Sequence, residues 1–312
     1  MIRTTSSLSV PLGTRVRYLY DLFRQYELRK QDNFGMARLL SDLALYDDLL
    51  KSRGGKSIDQ SCVLELGYGA RPFRAVGMAA RGARMFGLDL EQPVLGFDRA
   101  DYVEIARRNG IERALKSFAR SVIFDNKEVR AFEAAVQADF FEAAKRVSFL
   151  IGDASEHAAW SGVPDRLDLV YSEDVFEHIP RDNISRLLEL VARHVTPQGV
   201  VLIRPNIWTG ITGGHFVDWY HSNVDRSFRK RRPPWHHLVS GAGEPSVYLN
   251  KLRYNDYVEL FSKEFEIIDV SNSEFGLGRR YLTEDVRSRI PAFYSDEDLL
   301  TNNVLFVLRR KR

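Results

Sequence analysis

Residues 63–72 read Val-Leu-Glu-Leu-Gly-Tyr-Gly-Ala-Arg-Pro, and this stretch decides the fold. Its apolar start is typical of a strand buried in a parallel sheet. Gly67 and Gly69 then predict a tight turn, and Pro72 suits the first turn of a helix. A strand that passes through a glycine turn into a helix N-terminus leaves backbone N–H groups open to a nucleotide-like ligand. Glu65 is an unusual residue for a buried strand, which indicates a polar task facing that pocket.

Three further predicted strands also end in small or acidic residues. An apolar run from Ala83 to Leu88 ends at Asp89, roughly 20 residues beyond the glycine turn, where ribose hydroxyls are usually captured. The next two strands lead into Gly152-Asp153-Ala154 and into Ser172-Glu173-Asp174. Ligands of open α/β sheets bind at such carboxyl ends, so the pattern predicts a cofactor site along one edge of the sheet.

Four motifs follow one another along the chain: Glu-Leu-Gly-Tyr-Gly, Gly-Leu-Asp-Leu, Ile-Gly-Asp-Ala and Phe-Glu-His-Ile. This order resembles the successive motifs of the class I S-adenosylmethionine-dependent methyltransferases over residues 60–206, with two closing strands later. The resemblance implies S-adenosyl-L-methionine as the cofactor, with Asp89 on its ribose and Asp153 at the adenine amine. The full set of cofactor-binding residues it implies is Glu65, Gly67, Gly69, Asp89, Asp153, Ala154 and Glu173.

The sequence departs from that family pattern in two places. The usual third glycine is replaced within Ala70-Arg71-Pro72, and the gap from Asp89 to Asp153 is longer than the family norm, which implies inserted helices.

A nicotinamide-binding fold is disfavoured, because its Gly-x-Gly-x-x-Gly motif needs glycine where Pro72 stands. Asp153 alone could be a helix cap and Asp89 alone a loop carboxylate. A non-catalytic cofactor-binding protein is a further alternative, but the complete set of strand-end acids argues against it.

The whole chain predicts an α/β fold with a doubly wound, seven-stranded, mostly parallel sheet, which is the Rossmann-like methyltransferase fold. The predicted strands lie at 63–66, 83–88, 147–151, 167–171, 200–203, 266–270 and 303–308. The predicted organisation is an N-terminal helical segment (1–58), a cofactor-binding core (59–206) with a helical insert (98–146), an inserted acceptor-binding cap (207–263) and closing strands of the core (264–312). The N-terminal helices either pad the sheet, which we favour, or close over the cofactor as a lid.

The segment between the fifth and sixth strands has the most unusual composition in the chain. Residues 205–255 hold three of the four tryptophans, four of the seven histidines and five cations between Arg226 and Arg232. Loops above a rigid sheet usually carry specificity, so we expect the methyl acceptor here. The predicted substrate-binding residues are Trp208, Asp218, Trp219, His221, Arg229, Arg231, Arg232 and Trp235.

Methyl transfer to a hydroxyl requires alignment of donor and acceptor and removal of one proton. His215 follows two glycines that allow a ligand to approach closely, so it is the first candidate for the catalytic base. His178 lies just after the fourth strand and is the second candidate. His215, Asp218 and His221 have a spacing that a metal ion could use, but we favour a reaction without a metal.

Composition narrows the choice of acceptor. The chain has 312 residues, a formal net charge of +3 and 44% hydrophobic residues, and no run approaches the ~20 apolar residues of a membrane helix. RNA is the rival acceptor, because arginines and aromatic residues can also bind single strands. A net charge this small argues against nucleic acid. We expect a hydroxyl on a small-molecule or glycan-type acceptor, such as a phosphorylated sugar or a lipid-linked glycan. A single cysteine and the lack of a secretory signal predict a cytoplasmic protein, although the acid-poor N-terminus also resembles a transit peptide.

Overall fold

The computed structural model describes residues 26–69, 71–93, 126–239 and 247–311, together with scattered residues between 95 and 118. Seven strands of this part form one sheet, in the order β3-β2-β1-β4-β5-β7-β6. Every neighbouring pair is parallel except those of β7, which runs antiparallel to β5 and to β6. The predicted fold class is therefore confirmed. The strands are β1 (Cys62–Leu66), β2 (Arg84–Asp89), β3 (Val147–Ile151), β4 (Leu167–Glu173), β5 (Val195–Arg204), β6 (Phe265–Ser271) and β7 (Leu305–Arg310).

Helices cover both faces of the sheet. They are α1 (Met36–Leu49), α2 (Phe73–Ala80), α3 (Asn126–Val136), α4 (Phe140–Ala144), α5 (Arg181–His194) and α7 (Tyr254–Glu264), whereas α6 (His221–Val224), α8 (Glu284–Arg289) and α9 (Asp296–Leu300) contribute to a separate apolar cluster. Successive strand residues face opposite sides, so Val63 packs with α1 and α2 while Leu64 packs with α5 and α7. Glu65 shares the side of Val63 and therefore lies beneath α1 and α2. In the described ranges, no helix is long and apolar enough to cross a membrane.

The described part of the N-terminal segment packs on the sheet. Leu43, Tyr46 and Leu50 of this segment are fully buried against the sheet, and residues 26–31 are also helical. The part of the predicted segment that precedes residue 26 lies outside the described residues. Of the predicted insert, residues 126–146 form α3 and α4, while most of 98–125 also lies outside the described residues.

The cap differs in extent from the expectation. Its apolar core joins residues 208–249 to residues 277–299, which lie between β6 and β7. The predicted closing segment thus contributes α8 and α9 to the cap region as well as two strands to the sheet. Helix α7, which was assigned to the cap, packs with α5 on the sheet, where Phe261 is fully buried. The cap is therefore built from two separate connecting segments, one between β5 and β6 and one between β6 and β7.

Candidate active site

The glycine turn lies at the carboxyl end of β1, where the order of the sheet reverses between β1 and β4. Gly67 and Gly69 have φ angles of 78° and 65°, which glycine adopts without steric cost. A Cβ atom on Gly67 would lie 2.3 Å from Cγ2 of Val175, so the turn packs tightly on the residues after β4. A Cβ atom on Gly69 would meet nothing within 4 Å. The turn is therefore closed on one side and has room for a ligand on the other.

Asp89 holds this turn from the end of β2. Its Oδ2 accepts a hydrogen bond from the Gly69 N–H at 2.7 Å, and its Oδ1 accepts one from the Glu91 N–H at 2.9 Å. Burial raises the pKa of the Asp89 carboxyl, although both backbone bonds favour the ionised form. The structure thus brings together the glycine turn and the carboxylate that the sequence assigns to the ribose.

Glu65 lies inside β1 with only 4% of its surface exposed. Its Oε2 has no hydrogen-bond partner among the described residues. Burial raises the pKa of Glu65 to about 7, against the opposing influence of Arg74 and Tyr171. A buried carboxyl with an unpaired oxygen beside an open glycine turn fits the ammonium group of a methionine-type ligand.

The remaining predicted cofactor residues are already engaged within the protein. Asp153 accepts two bonds at Oδ1, from the Ser155 N–H at 2.8 Å and the Ser155 hydroxyl at 2.7 Å. The Ala154 carbonyl accepts a bond from Nε1 of Trp160 at 2.8 Å. Glu173 is buried, and its Oε2 lies 3.1 Å from Nη1 of Arg204. Asp153 and Ala154 thus form the turn after β3, while Glu173 takes part in a buried ion pair beneath α1.

The two candidate bases lie side by side. The ring centroids of His178 and His215 are 4.8 Å apart, at an interplanar angle of 75°. His178 follows β4 and His215 follows β5, and these adjacent parallel strands bring their carboxyl ends together. Nδ1 of His178 lies 3.0 Å from the carbonyl oxygen of Tyr248, which can only accept a hydrogen bond. In the neutral ring, Nδ1 therefore carries the proton and Nε2 carries the lone pair.

Glu177 is the residue of this site that sequence reasoning missed. Its Oε1 lies 3.4 Å from Nε2 of His215, and its side chain is 4% exposed. Neither carboxylate oxygen has a hydrogen-bond partner within the described chain. Asn206, held through Nδ2 by the Thr212 carbonyl at 3.2 Å, also lies 3.2 Å from Nε2 of His215. The available signal was the Phe-Glu-His-Ile motif, in which Glu177 precedes His178.

His215, Asp218 and His221, the alternative metal trio, are not brought together. Oδ2 of Asp218 accepts bonds from the N–H groups of Arg231 and Arg232, at 3.0 and 3.2 Å. His221 turns instead toward Glu274, with Nδ1 and Oε2 3.5 Å apart. The ligand-type atoms that do converge belong to Glu177, His178 and His215, and they all lie within 4.8 Å of one another.

A second polar group lies where the core meets the cap. His221 and Arg38 both approach Glu274, and the Arg38–Glu274 distance is 3.6 Å. Nearby, Asn303 donates a hydrogen bond to Oδ1 of Asp174 at 3.0 Å. Burial lowers the pKa of His221, but Glu274 and Asp174 outweigh that effect, so the pKa is raised overall. Acids and cations from four distant parts of the chain therefore face one another here.

The cap tryptophans form its core rather than an open surface. Trp208, Trp219 and Trp235 are only 8%, 3% and 0% exposed. Nε1 of Trp235 donates to the Thr209 carbonyl at 3.1 Å, and Nε1 of Trp219 donates to the Arg232 carbonyl at 3.1 Å. The rings lie in the interior of the cap because large apolar rings gain most from complete burial.

The arginines of the basic run are placed differently from the tryptophans. Arg229 and Arg231 are exposed, whereas the Arg232 guanidinium lies 4.4 Å from the centroid of the Phe216 ring. The backbone of the run is held by Asp218, as described above, so its side chains project from a fixed segment.

The sequence and the fold were compared with those of known proteins. A family model described as a methyltransferase domain matches residues 30–236. No curated protein matches the sequence. Similar solved structures include a TehB-like SAM-dependent methyltransferase from Corynebacterium glutamicum, with 13% identity, coverage of 89% of this chain and 88% of that one, and a TM-score of 0.39. A SAM-dependent methyltransferase from Methanosarcina mazei has 13% identity, coverage of 81% and 93%, and a TM-score of 0.41.

A third similar structure is magnesium protoporphyrin IX methyltransferase from Synechocystis with bound SAH. It has 13% identity, covers 88% of this chain and 83% of that one, and has a TM-score of 0.42. Identities this low say nothing about the acceptor. The family model, in contrast, spans more than half of the chain and includes the glycine turn, Asp89 and both candidate histidines. The chain therefore belongs to the class I S-adenosylmethionine-dependent methyltransferases, and S-adenosyl-L-methionine is its cofactor.

Proposed function

We propose that this methyltransferase transfers the methyl group to a hydroxyl of a small or glycan-type acceptor. The observation that carries the proposal is the contact of His178 and His215 beside the buried carboxylate of Glu177. The bound cofactor supplies an electrophilic methyl group, so the protein's residues need only orient the acceptor and remove its proton. A hydroxyl is a poor nucleophile until that proton leaves, and an imidazole backed by a carboxylate is suited to take it.

The position of the histidines relative to the glycine turn supports this role. Val175 fills the space that a side chain on Gly67 would occupy, and Glu177 and His178 follow two and three residues later. An acceptor held at the histidines would therefore lie next to the turn that receives the cofactor. In this arrangement His215 is the proposed proton acceptor and His178 the second candidate. Glu177 would stabilise the imidazolium at His215.

The polar junction between core and cap supports a polyhydroxylated acceptor. Asp174, His221 and Glu274 offer both hydrogen-bond acceptors and donors in a partly buried setting beside the histidines. Sugar hydroxyls act as donors and acceptors at once, so such a mixed set suits them better than an apolar ligand. The exposed Arg229 and Arg231 would hold an acidic group such as a phosphate, as in a phosphorylated sugar or a lipid-linked glycan. The buried tryptophans would shape this surface from beneath.

The test is a transfer assay with methyl-labelled cofactor. The purified protein is incubated with separate panels of nucleotide sugars, lipid-linked glycans, small metabolites and RNA, and mass spectrometry and NMR identify the methylated atom. We expect a methyl ether on a small or glycan-type acceptor. Label confined to nitrogen, carbon or RNA would contradict the proposal.

A matched pair of variants assigns the base. His215→Gln should lower turnover by roughly 10²–10⁴ while the affinity for S-adenosylhomocysteine stays the same. His157→Gln alters an exposed histidine outside the group of Glu177, His178 and His215 and should leave turnover unchanged. Normal turnover in the His215 variant would transfer the role to His178.

A further inference from the structure

We propose that Glu177, His178 and His215 form a binding site for a divalent transition-metal ion that takes the acceptor hydroxyl as a further ligand. The ion site itself is independent of the acceptor. Only the hydroxyl's part in it rests on the proposed function. The three residues supply one carboxylate and two imidazoles from the ends of two adjacent strands.

The spacing of the three side chains suits a common ion. Two ligands that each lie ~2.1 Å from one ion, at angles near those of tetrahedral or octahedral sites, are roughly 3–3.5 Å apart. Oε1 of Glu177 and Nε2 of His215 are 3.4 Å apart. The largest separation within the trio is at most 4.8 Å. Where a pair of ligand atoms is wider than the ideal spacing, small rotations about the last side-chain torsions, which are broad ones, can close the gap.

The burial of Glu177 calls for a positive partner. Its carboxylate is almost fully removed from water, and neither oxygen accepts a hydrogen bond from any described residue. An ionised carboxylate in such a place is costly unless a cation compensates it. The His215 imidazole at 3.4 Å supplies that charge only when it is protonated. A metal ion would compensate Glu177 while both imidazoles remain neutral.

The surroundings of the two histidines prepare them as ligands. Nδ1 of His178 donates to the Tyr248 carbonyl at 3.0 Å, which leaves the lone pair on Nε2. Metal-binding histidines commonly donate their second ring N–H to a carbonyl or carboxylate in this way. Nδ2 of Asn206 lies 3.2 Å from Nε2 of His215 and also donates a hydrogen bond to the Thr212 carbonyl. When an ion binds Nε2 of His215, Asn206 would lose its contact with the ring and keep its bond to Thr212.

The donor set indicates the class of ion. Two imidazole nitrogens and one carboxylate oxygen suit Mn²⁺, Fe²⁺, Co²⁺ or Zn²⁺ better than Mg²⁺ or Ca²⁺, which prefer oxygen ligands throughout. Three protein ligands also leave positions open for a substrate oxygen. An ion at this place would lower the pKa of the bound hydroxyl, as it does for bound water.

The chemical step then balances without a further reactant. The hydroxyl oxygen forms a bond to the methyl carbon as the bond from that carbon to the cofactor's sulfur breaks. The hydroxyl proton passes to solvent, and the products are a methyl ether, S-adenosylhomocysteine and that proton. With the ion bound, His178 and His215 act as its ligands, and the ion takes over the activation that the proposed function assigns to an imidazole base.

The experiment measures ion binding directly. Untagged protein is treated with a chelator, dialysed and titrated with Co²⁺, with the visible absorption of the ion and calorimetry as readouts. We expect one Co²⁺ per chain and absorption bands typical of a site with nitrogen ligands. Glu177→Gln and His215→Gln should each weaken binding by at least about 100-fold. The matched control His157→Gln should bind like the wild type, and circular dichroism verifies that each variant is folded.

The outcomes are clear-cut. Folded wild-type protein that takes up no stoichiometric Co²⁺ overturns the inference. So does binding of equal strength by Glu177→Gln and wild type, because the ion would then lie elsewhere. Methyl ether formation at full rate in ion-free protein also overturns it and leaves the imidazole base of the proposed function in place. Ion binding at this site combined with methylation of nitrogen would support the metal site and contradict the proposed function instead.

Discussion

We expect the Asp89 carboxylate to have two roles at once. It already accepts one backbone N–H at each oxygen, from Gly69 and from Glu91. Each carboxylate oxygen can accept a second bond, so ribose hydroxyls can be held without release of the turn. One residue would thus couple the shape of the glycine turn to recognition of the cofactor.

Asp89→Asn tests this coupling, because an amide NH₂ replaces one accepting oxygen and the charge is lost. We expect the affinity for S-adenosylhomocysteine to fall about 10- to 100-fold, since a hydrogen bond to a charged group contributes ~1.5–3 kcal/mol. Calorimetry gives the value. Asp165→Asn is the control, because the side chain of Asp165 is 96% exposed. Equal affinity of the Asp89 variant and the wild type would show that this carboxylate does not bind the ribose.

Glu65 makes the stability of the cofactor-free protein depend on pH. Its pKa is about 7 in the folded protein, against 4.5 as the ordinary value, and burial is the main cause. Between these two values the folded protein holds a proton that the unfolded chain has released. The contribution of Glu65 to the free energy of unfolding is therefore fully present below pH 4.5 and is lost as the pH rises to about 7.

Glu65→Gln removes this dependence, because glutamine is neutral at every pH. We expect the variant to gain stability relative to the wild type as the pH rises from about 5 to about 8, by up to about 3 kcal/mol. Urea unfolding at both pH values measures the difference. Glu189→Gln, on the exposed side of α5, should show no such trend. A constant difference between Glu65→Gln and wild type would contradict the raised pKa.

At the scale of elements, the glycine turn and the residues after β4 form one unit. Gly67 has a left-handed φ and also lacks the space for a side chain, because Val175 occupies it. Gly69 has the left-handed φ alone. Gly69→Ala should therefore cost about 1–2 kcal/mol of folding free energy, the price of a side chain in this conformation. Gly67→Ala should cost several kcal/mol more.

The double variant Gly67→Ala/Val175→Ala separates the two causes. Removal of the Val175 methyl groups should recover part of the loss, with a coupling energy of about 1–2 kcal/mol. Urea unfolding of the two single variants and the double variant gives this coupling. Additive losses within ~0.5 kcal/mol would show that φ alone makes Gly67 necessary.

Local patterns were enough to predict the sheet and the cofactor edge. A strand, a glycine turn and a helix start lie within ten residues. The positions of the acids at the ends of β2 and β3 then follow from one rule, that the carboxyl ends of parallel strands lie at the same edge of the sheet. The burial of the cap tryptophans could not be predicted from local patterns, since it depends on residues 277–299, far away in the chain. The Glu177–His215 contact could not be predicted from local sequence either, because it follows from the pairing of β4 with β5.

At the scale of the whole molecule, the cap, the N-terminal segment and the core meet around the site. Arg226 of the cap donates a hydrogen bond to the Leu28 carbonyl at 2.5 Å, and Arg38 of α1 approaches Glu274 of the cap region. Parts of the chain that are distant in sequence therefore contact one another here.

The basic run between Arg226 and Arg232 is a local concentration of positive charge that an acidic acceptor would use. The triple variant Arg229→Gln/Arg231→Gln/Arg232→Gln should raise the KM for a phosphorylated acceptor and leave cofactor affinity alone, because these groups contribute ground-state binding. The matched control is Arg81→Gln/Arg166→Gln/Arg193→Gln, which removes the same charge from exposed positions at the amino ends of the strands.

The salt dependence of KM then distinguishes contact from general attraction. Exposed charges are screened within about 10 Å at moderate ionic strength, so added salt should raise the wild-type KM toward that of the triple variant. The control triple should respond to salt as the wild type does. A KM that neither the substitutions nor the salt alters would mean that the run is a solvated face and that the acceptor is neutral. A steep salt response that appears only with RNA would instead favour a nucleic acid acceptor, since many phosphates would then be neutralised together.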